Sequence, residues 1–393
     1  LQHIYGTGFF QPKTDASSTD TLAYFDLEFE DFNLWILPSI AVNVFDSTAG
    51  RATGFGHFLA TGEDFDYQSY LSVDSAYAKP KFINTDYYLS GPINWNRERG
   101  IVIDTVLIDD PYGTGELWGT IDLNDFQPEK SFDITLSMNN LQFMNNEFDE
   151  EVPFYGNIRG TGVARLVGTN TSPTISTLGE VRIEPGSEFK LPLLSETEFE
   201  GEKSFIRFTD DFSEPGKSAR EVLAARNKPK IERKTIFSRQ IDDTELTFVE
   251  LFTMELLFSA PERTNIELIF DQVTNESLRA QGSGNIRVAL NDQDLEINGS
   301  YTLDGGVYDF VSADFFTRRF RLERGGQLTW DGDPTNANVN ISAIYEQRAD
   351  FSTFLPNATN EAGLRVPVQM VLTLGGRLQQ IENDYFFRIP SDL

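Results

Sequence analysis

Apolar and polar residues alternate with a period of two along most of this chain. The stretch 132–138 has Phe, Ile, Leu and Met at every second position, with Asp, Thr and Ser between them. In an extended strand this alternation places every apolar side chain on one face. The same pattern recurs in the segments 25–29, 252–258, 266–270, 286–290, 339–341 and 366–374. The sequence therefore predicts a chain built from half-buried strands.

Turn signals separate these strands. They are Gly-Thr-Gly at 113–115, Asn-Asp at 291–292, Asp-Gly-Gly at 304–306, Arg-Gly-Gly at 324–326 and Asp-Gly-Asp-Pro at 331–334, and we expect each of them to reverse the chain. Strands of helix-covered parallel sheets are uniformly apolar, whereas these strands alternate. We therefore predict an all-β, mostly antiparallel fold.

No helical layer is available to cover the apolar face of such a sheet. Helical character is confined to 218–228, inside a segment, 217–239, that carries eight basic and two acidic residues. This basic segment is interpreted either as a solvated loop or hinge, or as a contact for anionic lipid headgroups or an acidic partner. The sheet must then fold on itself as a sandwich, a closed barrel or a long open trough. The missing Pro- or Ser-rich linker favours the trough.

Composition excludes several classes of function. The chain of 393 residues has 32 basic and 61 acidic residues and a formal charge of −29, which argues against binding nucleic acid. It has no Cys and only two His, so thiolate zinc sites and His-dependent triads are poor candidates. Adjacent carboxylates such as Asp109 and Asp110 point to opposite faces of a strand. We expect no catalytic residue, no metal and no cofactor.

Residues in the last third of the chain carry a family resemblance. They are Tyr301, Gly306, Tyr308, Phe310, Phe320, Gly325, Gly326, Leu328, Trp330, Gly332, Asp333, Pro334, Ala337, Asn340, Ile341, Ala343 and Tyr345. Short motifs at 153–156, 160–162, 186–187, 191–192, 366–368 and 374–376 continue the match. With these positions the chain resembles the conserved carboxy-terminal domain of the TamB family, over roughly residues 93–390.

The resemblance implies a fold and a function. The fold is a long, strongly curved, mostly antiparallel sheet that forms an elongated U-shaped trough, or β-taco, with an apolar interior. The implied segments are 1–92 and 93–211 of the trough, a basic, partly helical insertion at 212–244, and the conserved domain at 245–393. The implied function is that of an AsmA-like bridge in the periplasm, which conducts phospholipids between the inner and outer membranes and supports outer-membrane biogenesis.

The resemblance also implies partners and a location. The expected partners are phospholipids and an outer-membrane protein of the Omp85 class, of TamA or BamA type. We expect this chain to be part of a longer protein, held in the inner membrane by an amino-terminal anchor outside it. Two alternatives stay open: an assembly factor for outer-membrane β-barrel proteins and autotransporters that acts by strand augmentation, and a surface adhesin or carbohydrate-binding protein.

Two sets of residues follow as candidate sites. The predicted lining of the lipid groove consists of Phe132, Ile134, Leu136, Phe252, Met254, Leu256, Phe258, Ile266, Leu268, Phe270, Val339, Ile341, Val368, Met370 and Leu372. The predicted structural motif consists of Gly325, Gly326, Trp330, Gly332, Asp333, Pro334 and Tyr345, with Trp330 packed on a turn that Pro and Gly favour. Without the resemblance, the lining residues would be read as a closed core.

Overall fold

A computed structural model describes most of the chain. The described residues are 3–10, 21–36, 45–61, 65–80, 83–122, 129–147, 155–192, 252–271, 274–291, 294–312, 316–334, 336–350, 365–378 and 380–390. They belong to one compact unit formed by Leu1–Leu193 and Glu245–Leu393. The basic segment and the helical character predicted within it lie outside the described residues.

The described residues form 21 strands and one short 3-10 helix at Leu34–Ile36. The strands are β1 (His3–Phe10), β2 (Thr21–Asn33), β3 (Phe45–Ala49), β4 (Arg51–Thr61), β5 (Phe65–Pro80), β6 (Tyr87–Asn96), β7 (Gly100–Asp109), β8 (Thr114–Asp122), β9 (Ser131–Asn146), β10 (Tyr155–Thr169), β11 (Ser172–Thr177), β12 (Val181–Ile183), β13 (Glu188–Pro192), β14 (Thr253–Asp271), β15 (Glu276–Asn291), β16 (Asp294–Ser312), β17 (Phe316–Leu322), β18 (Gln327–Gly332), β19 (Asn338–Asp350), β20 (Arg365–Arg377) and β21 (Gln380–Arg388). The prediction of an all-β chain is confirmed, because this part of the chain contains no α-helix.

The strands pair in one continuous ladder. Pairing is antiparallel from β1 through β2, β4, β5 and each following strand to β10, and β3 adds to the end of β5. The short strands β11, β12 and β13 lie between β10 and β14, antiparallel to the first and parallel to the second. The ladder then continues antiparallel through β15 and β16, past β17 and β18, to β19, β20 and β21.

Three of the five predicted turns reverse the chain and two do not. The hairpins β7–β8, β15–β16 and β18–β19 confirm the turns at 113–115, 291–292 and 331–334. The prediction at 304–306 is wrong, because these residues lie inside β16, at a shift in its register with β15. The prediction at 324–326 is also wrong, since the loop joins β17 and β18, which both run antiparallel to β16. Paired glycines permit a bulge as readily as a hairpin.

The largest buried core lies in the carboxy-terminal strands. Leu268, Leu303, Leu328 and Ile341 are completely shielded from solvent there, and Phe320 is 1% exposed. A smaller cluster around Leu141 and another around Val73 lie among the earlier strands. The carboxy-terminal cluster is therefore the part of the apolar face that the protein itself covers most completely.

Candidate functional site

One line of directly opposed residues crosses twelve strands without a polar side chain. Directly opposed residues in a sheet share a face, so the line can be followed from strand to strand through the register. Its members, from β2 to β16, are Phe29, Gly54, Leu71, Ile93, Ile103, Gly119, Ile134, Leu166, Ile175, Met254, Leu290 and Leu295. We call this line the half-buried row.

Burial distinguishes the half-buried row from a core. Each of its twelve residues is half-buried, neither fully shielded nor fully exposed. By contrast, the line that crosses β13–β17 through Leu191, Leu268, Leu278, Tyr308 and Phe320 is buried throughout. The same face of the ladder is therefore closed in its carboxy-terminal part and accessible along the half-buried row.

A second line runs beside the half-buried row on the same face. It contains one polar residue, Ser69, and crosses β2–β11 through Leu27, Gly56, Ser69, Trp95, Ile101, Ile121, Phe132, Gly168 and Pro173. We call it the flanking row. The two rows make an apolar band two side chains wide across these strands.

The fifteen predicted lining residues fall into three groups. Ile134 and Met254 belong to the half-buried row, and Phe132 belongs to the flanking row. A second group, also half-buried, consists of Leu136, Phe252 and Leu256, which lie two residues along the chain from row members, and Val368, which lies in β20 beyond the rows. The third group belongs to the carboxy-terminal cluster and consists of Phe258, Ile266, Leu268, Phe270, Val339, Ile341, Met370 and Leu372. Five of this third group are buried outright: Ile266, Leu268, Val339, Ile341 and Leu372.

Sequence reasoning missed most of the half-buried row. Leu71, Ile93, Ile103, Leu166 and Ile175 were not among the predicted lining residues. Their strands alternate poorly, since β7 begins Gly-Ile-Val-Ile with apolar residues on both faces. Glycines at every second position, as at 54–56, 160–162 and 282–284, were the signal that could have marked this face.

Glycines on the apolar face adopt a backbone conformation that other residues rarely adopt. Eight of them, in β6, β8, β10, β16 and β18, have φ between 119° and 157°. At Gly119 a Cβ atom would lie 2.1 Å from the carbonyl oxygen of Asp133. Strand glycines of this kind mark bends or close approaches of backbone. Register shifts, which also bend strands, occur in eight of the pairings between β2 and β16.

The opposite face is polar and carries ion pairs. Arg165 Nη2 lies 2.6 Å from Asp133 Oδ2, and Arg287 Nη2 lies 3.1 Å from Glu255 Oε1. The hydrogen bond from Arg165 lowers the pKa of Asp133. Both pairs are largely exposed, so each stabilises the fold only slightly. Exposed charges favour contact with water, so along these strands this face is the more hydrated one.

The predicted structural motif lies in β18, the β18–β19 turn and the β17–β18 loop, except for Tyr345, which lies in β19. Trp330 is 4% exposed, and its indole Nε1 donates a hydrogen bond of 3.0 Å to the carbonyl oxygen of Pro334. The backbone N–H of Gly325 donates to Leu303 O at 2.8 Å, and Gly332 has a φ of 127°. These contacts join the turn to the carboxy-terminal cluster.

In the part of the chain that the structure describes, no three His, Cys, Asp or Glu side chains lie close enough to hold a metal ion. Among the same residues, no helix is long and apolar enough to cross a membrane. The candidate site is the accessible apolar face, on the evidence of the half-buried row and the flanking row.

These features define an all-β protein with an accessible apolar face that is continuous across many strands. The family model of the TamB C-terminal domain matches residues 107–391, and the chain belongs to the TamB family. Its role is of the TamB type, in the translocation and assembly module. Members of the family are periplasmic proteins anchored in the inner membrane. No curated protein matches the chain.

Proposed function

We propose that this chain conducts phospholipids between the inner and outer membranes along its apolar face. The observation that carries the proposal is the half-buried row, whose twelve residues are apolar or Gly and stay accessible. A closed core would bury such residues as completely as Leu268 is buried. Accessible apolar surface of this extent is unusual in soluble proteins and marks a surface for apolar ligands.

The energetics favour acyl chains as the occupant. Exposure of one methylene group to water costs about 0.8 kcal/mol, so a two-chain phospholipid crossing water unaided meets a barrier of roughly 20 kcal/mol. A continuous apolar row keeps the tails sheltered at every step. Because its members are chemically alike, no position holds the tails much more tightly than the next, and the lipid can diffuse. The process needs no catalytic residue.

We also propose that the strands curve into a trough with the apolar face inside. The glycines with positive φ support this shape, because they lie on the apolar face and bend strands where they occur. The register shifts support it for the same reason. Eleven steps of about 4.8 Å give the half-buried row a length of about 50 Å.

The proposed setting is the periplasm, with the inner-membrane anchor of the family at one end. The proposed outer-membrane partner is an Omp85-class protein of the TamA type, which family membership supports. Segment boundaries at 92, 211 and 244 stay predictions.

Site-specific photocrosslinking in cells tests lipid contact. A benzophenone side chain at Leu71 or Ile175 lies on the half-buried row, whereas one at Ser72 or Ser176 lies one residue away on the opposite face. We expect phospholipid adducts at Leu71 and Ile175 and none at the two serines. Equal labelling of both faces, or protein adducts alone at Leu71 and Ile175, would contradict the proposal.

A second candidate function is the assembly of outer-membrane proteins by strand augmentation. It is favoured by β21, which among the described strands pairs only with β20. Tyr385, Phe386 and Phe387 on this strand are 51–65% exposed. An augmentation role predicts that Asn383→Pro impairs assembly of barrel proteins, because the N–H of residue 383 faces away from β20 and a Pro there cannot donate a hydrogen bond to an added strand. A lipid-conducting role predicts that this variant keeps lipid contact on the half-buried row.

A further inference from the structure

Three carboxylates stand in line on the polar face of β2. Asp26, Glu28 and Glu30 alternate along this strand with Leu27 of the flanking row and Phe29 of the half-buried row, so they point to the face opposite these rows. Successive carboxylates of the line are about 7 Å apart. Glu28 and Glu30 are exposed, and no described residue forms a hydrogen bond or an ion pair with either of them. We call these three residues the acidic line.

Aromatic side chains border the acidic line on both sides. Tyr5 of β1 and Phe55 of β4 lie directly opposite Glu28, and they are 52% and 43% exposed. Phe9 of β1 is 50% exposed and stacks on Tyr24 of β2, with the ring centroids 6.2 Å apart. These exposed rings lie on the face opposite the apolar rows, so they take no part in the proposed lipid path.

Contacts among these side chains join β1, β2, β4 and β5 into one surface. Tyr24 Oη and His57 Nδ1 both form hydrogen bonds with the carboxylate of Asp26. The centroid of the His57 ring is 5.5 Å from that of Phe55, which stacks on Tyr70 at 5.8 Å. The hydrogen bond from Tyr24 lowers the pKa of Asp26, so this carboxylate is ionised at neutral pH. We use the name acidic-aromatic face for the acidic line together with the rings of Tyr5, Phe9, Tyr24, Phe55, His57 and Tyr70.

The acidic-aromatic face differs in charge from the rest of the polar face. Ion pairs join a carboxylate to an arginine between β9 and β10 and between β14 and β15. By contrast, the three lines of opposed residues that cross β1, β2, β4 and β5 through the acidic-aromatic face contain no Lys or Arg. Arg51 of β4 pairs with Asp31, since its Nη1 lies 3.1 Å from Asp31 Oδ2. The described residues therefore leave the charges of Glu28 and Glu30 without a cation.

We propose that the acidic-aromatic face docks an extended, arginine-rich segment of a partner protein. A guanidinium group forms an ion pair with a carboxylate and also stacks on an aromatic ring, so Glu28 with Tyr5 and Phe55 on either side suits it in both respects. In an extended segment, side chains that point to one side are about 7 Å apart, which is the spacing of the acidic line. Successive arginines can therefore meet successive carboxylates. This inference does not depend on lipid conduction, because it uses the opposite face of the ladder.

Fluorescence anisotropy with a defined peptide tests the inference. The probe is a labelled nonapeptide that alternates Arg with Thr, and the comparison peptide has neutral citrulline in place of each Arg. The test variant is Glu28→Gln with Glu30→Gln. The control variant, Glu147→Gln with Glu382→Gln, removes the same charge from two exposed residues elsewhere. We expect the test variant to bind the arginine peptide about tenfold more weakly than the wild type. The control variant should differ from the wild type by less than about twofold at physiological salt, which screens distant charges.

The rings are tested separately by Phe55→Leu, which keeps an apolar side chain and removes the stacking surface. We expect this variant to bind the arginine peptide about threefold more weakly. Thermal denaturation of every variant checks that it is folded. The two glutamine variants keep every ring, so the test of charge is decisive even where Phe55→Leu is unstable.

Three results would overturn the inference, and each of them leaves the proposed function intact. Equal weakening by the test and control variants would mean that the peptide responds only to the formal charge of −29. Equal binding of the citrulline peptide would mean that the rings suffice without a cation. Tighter binding of a chitin hexasaccharide than of the arginine peptide would assign the acidic-aromatic face to a glycan.

Discussion

Leu256 and Leu257 offer a matched test of which face carries lipid. They are consecutive residues of β14, both half-buried, and they point to opposite faces. Leu256 lies opposite Val288 on the apolar face, one step along β14 from the half-buried row. Leu257 lies opposite Arg287 on the polar face. The substitutions Leu256→Asp and Leu257→Asp change the chemistry identically and differ only in the face they alter.

The size of the effect follows from the strand spacing. A hydrated carboxylate at position 256 removes apolar shelter over about one spacing of 4.8 Å, which corresponds to about four methylenes of a tail. At about 0.8 kcal/mol each, these methylenes add about 3 kcal/mol to the barrier for passage. Since about 1.4 kcal/mol corresponds to a factor of ten in rate, we expect Leu256→Asp to slow transfer about 100-fold.

The assay is transfer of a fluorescent phospholipid between donor and acceptor liposomes, with thermal denaturation of both variants in parallel. Leu257→Asp should transfer lipid at the wild-type rate, because its carboxylate enters a face that already holds Glu255 and Arg287. Equal rates for the two variants, with both folded, would refute the assignment of the faces. If Leu257→Asp transfers lipid slowly and Leu256→Asp transfers it at the wild-type rate, the assignment of the two faces must be reversed.

Three further predictions concern the fold and can be checked by denaturation. Gly119→Ala should lower stability by about 1–3 kcal/mol because of its positive φ and crowded Cβ position, whereas Gly375→Ala, with open space around it, should not. Trp330→Phe loses the hydrogen bond to Pro334 and leaves a small cavity in the core, at about 2–3 kcal/mol in chemical denaturation. Hydrogen bonds from two guanidinium groups lower the pKa of Asp309, so its stabilisation is complete at neutral pH and is lost in acid, below about pH 4. Asp309→Asn should therefore be less stable at pH 7, with a gap that closes as the pH falls through the lowered pKa.

Alternation of apolar and polar residues correctly predicted which side chains share one face of the sheet wherever a polar residue separates each pair of apolar ones. In 132–138 and 252–258 it identified the side chains that share the apolar face, and the register agrees. It failed in β7, where Ile101, Val102 and Ile103 follow one another and a period of two cannot be read. Val102 is 4% exposed, so the polar face also buries apolar side chains locally. The register of β7 with β6 and β8 decides which of two neighbouring apolar residues points to the apolar band of the two rows. The sequence of β7 alone does not contain that information.

Glycine set a second limit on prediction. A pair of glycines permits either a hairpin or a bulge, because both need backbone conformations that other residues avoid. The pair at 305–306 lies in the middle of β16, where β15 continues alongside and supplies hydrogen-bond partners on both sides of the register shift. Pairing with a neighbour, rather than the local sequence, determined that the strand bends and continues.

The two parts of the apolar face serve different physical purposes. Burial of apolar surface stabilises a fold by about 25 cal/mol per Å². The carboxy-terminal cluster contributes this stabilisation to the folded protein, because side chains such as Leu328 and Ile341 are fully shielded there. The half-buried row contributes only part of this stabilisation, because its side chains keep apolar surface exposed. A ligand could bury that remaining surface. A face closed throughout would be more stable and could hold no lipid, whereas a face open throughout would lack a core. If the proposed function holds, closing one part and leaving the other accessible allows a single ladder of strands both to fold and to bind lipid.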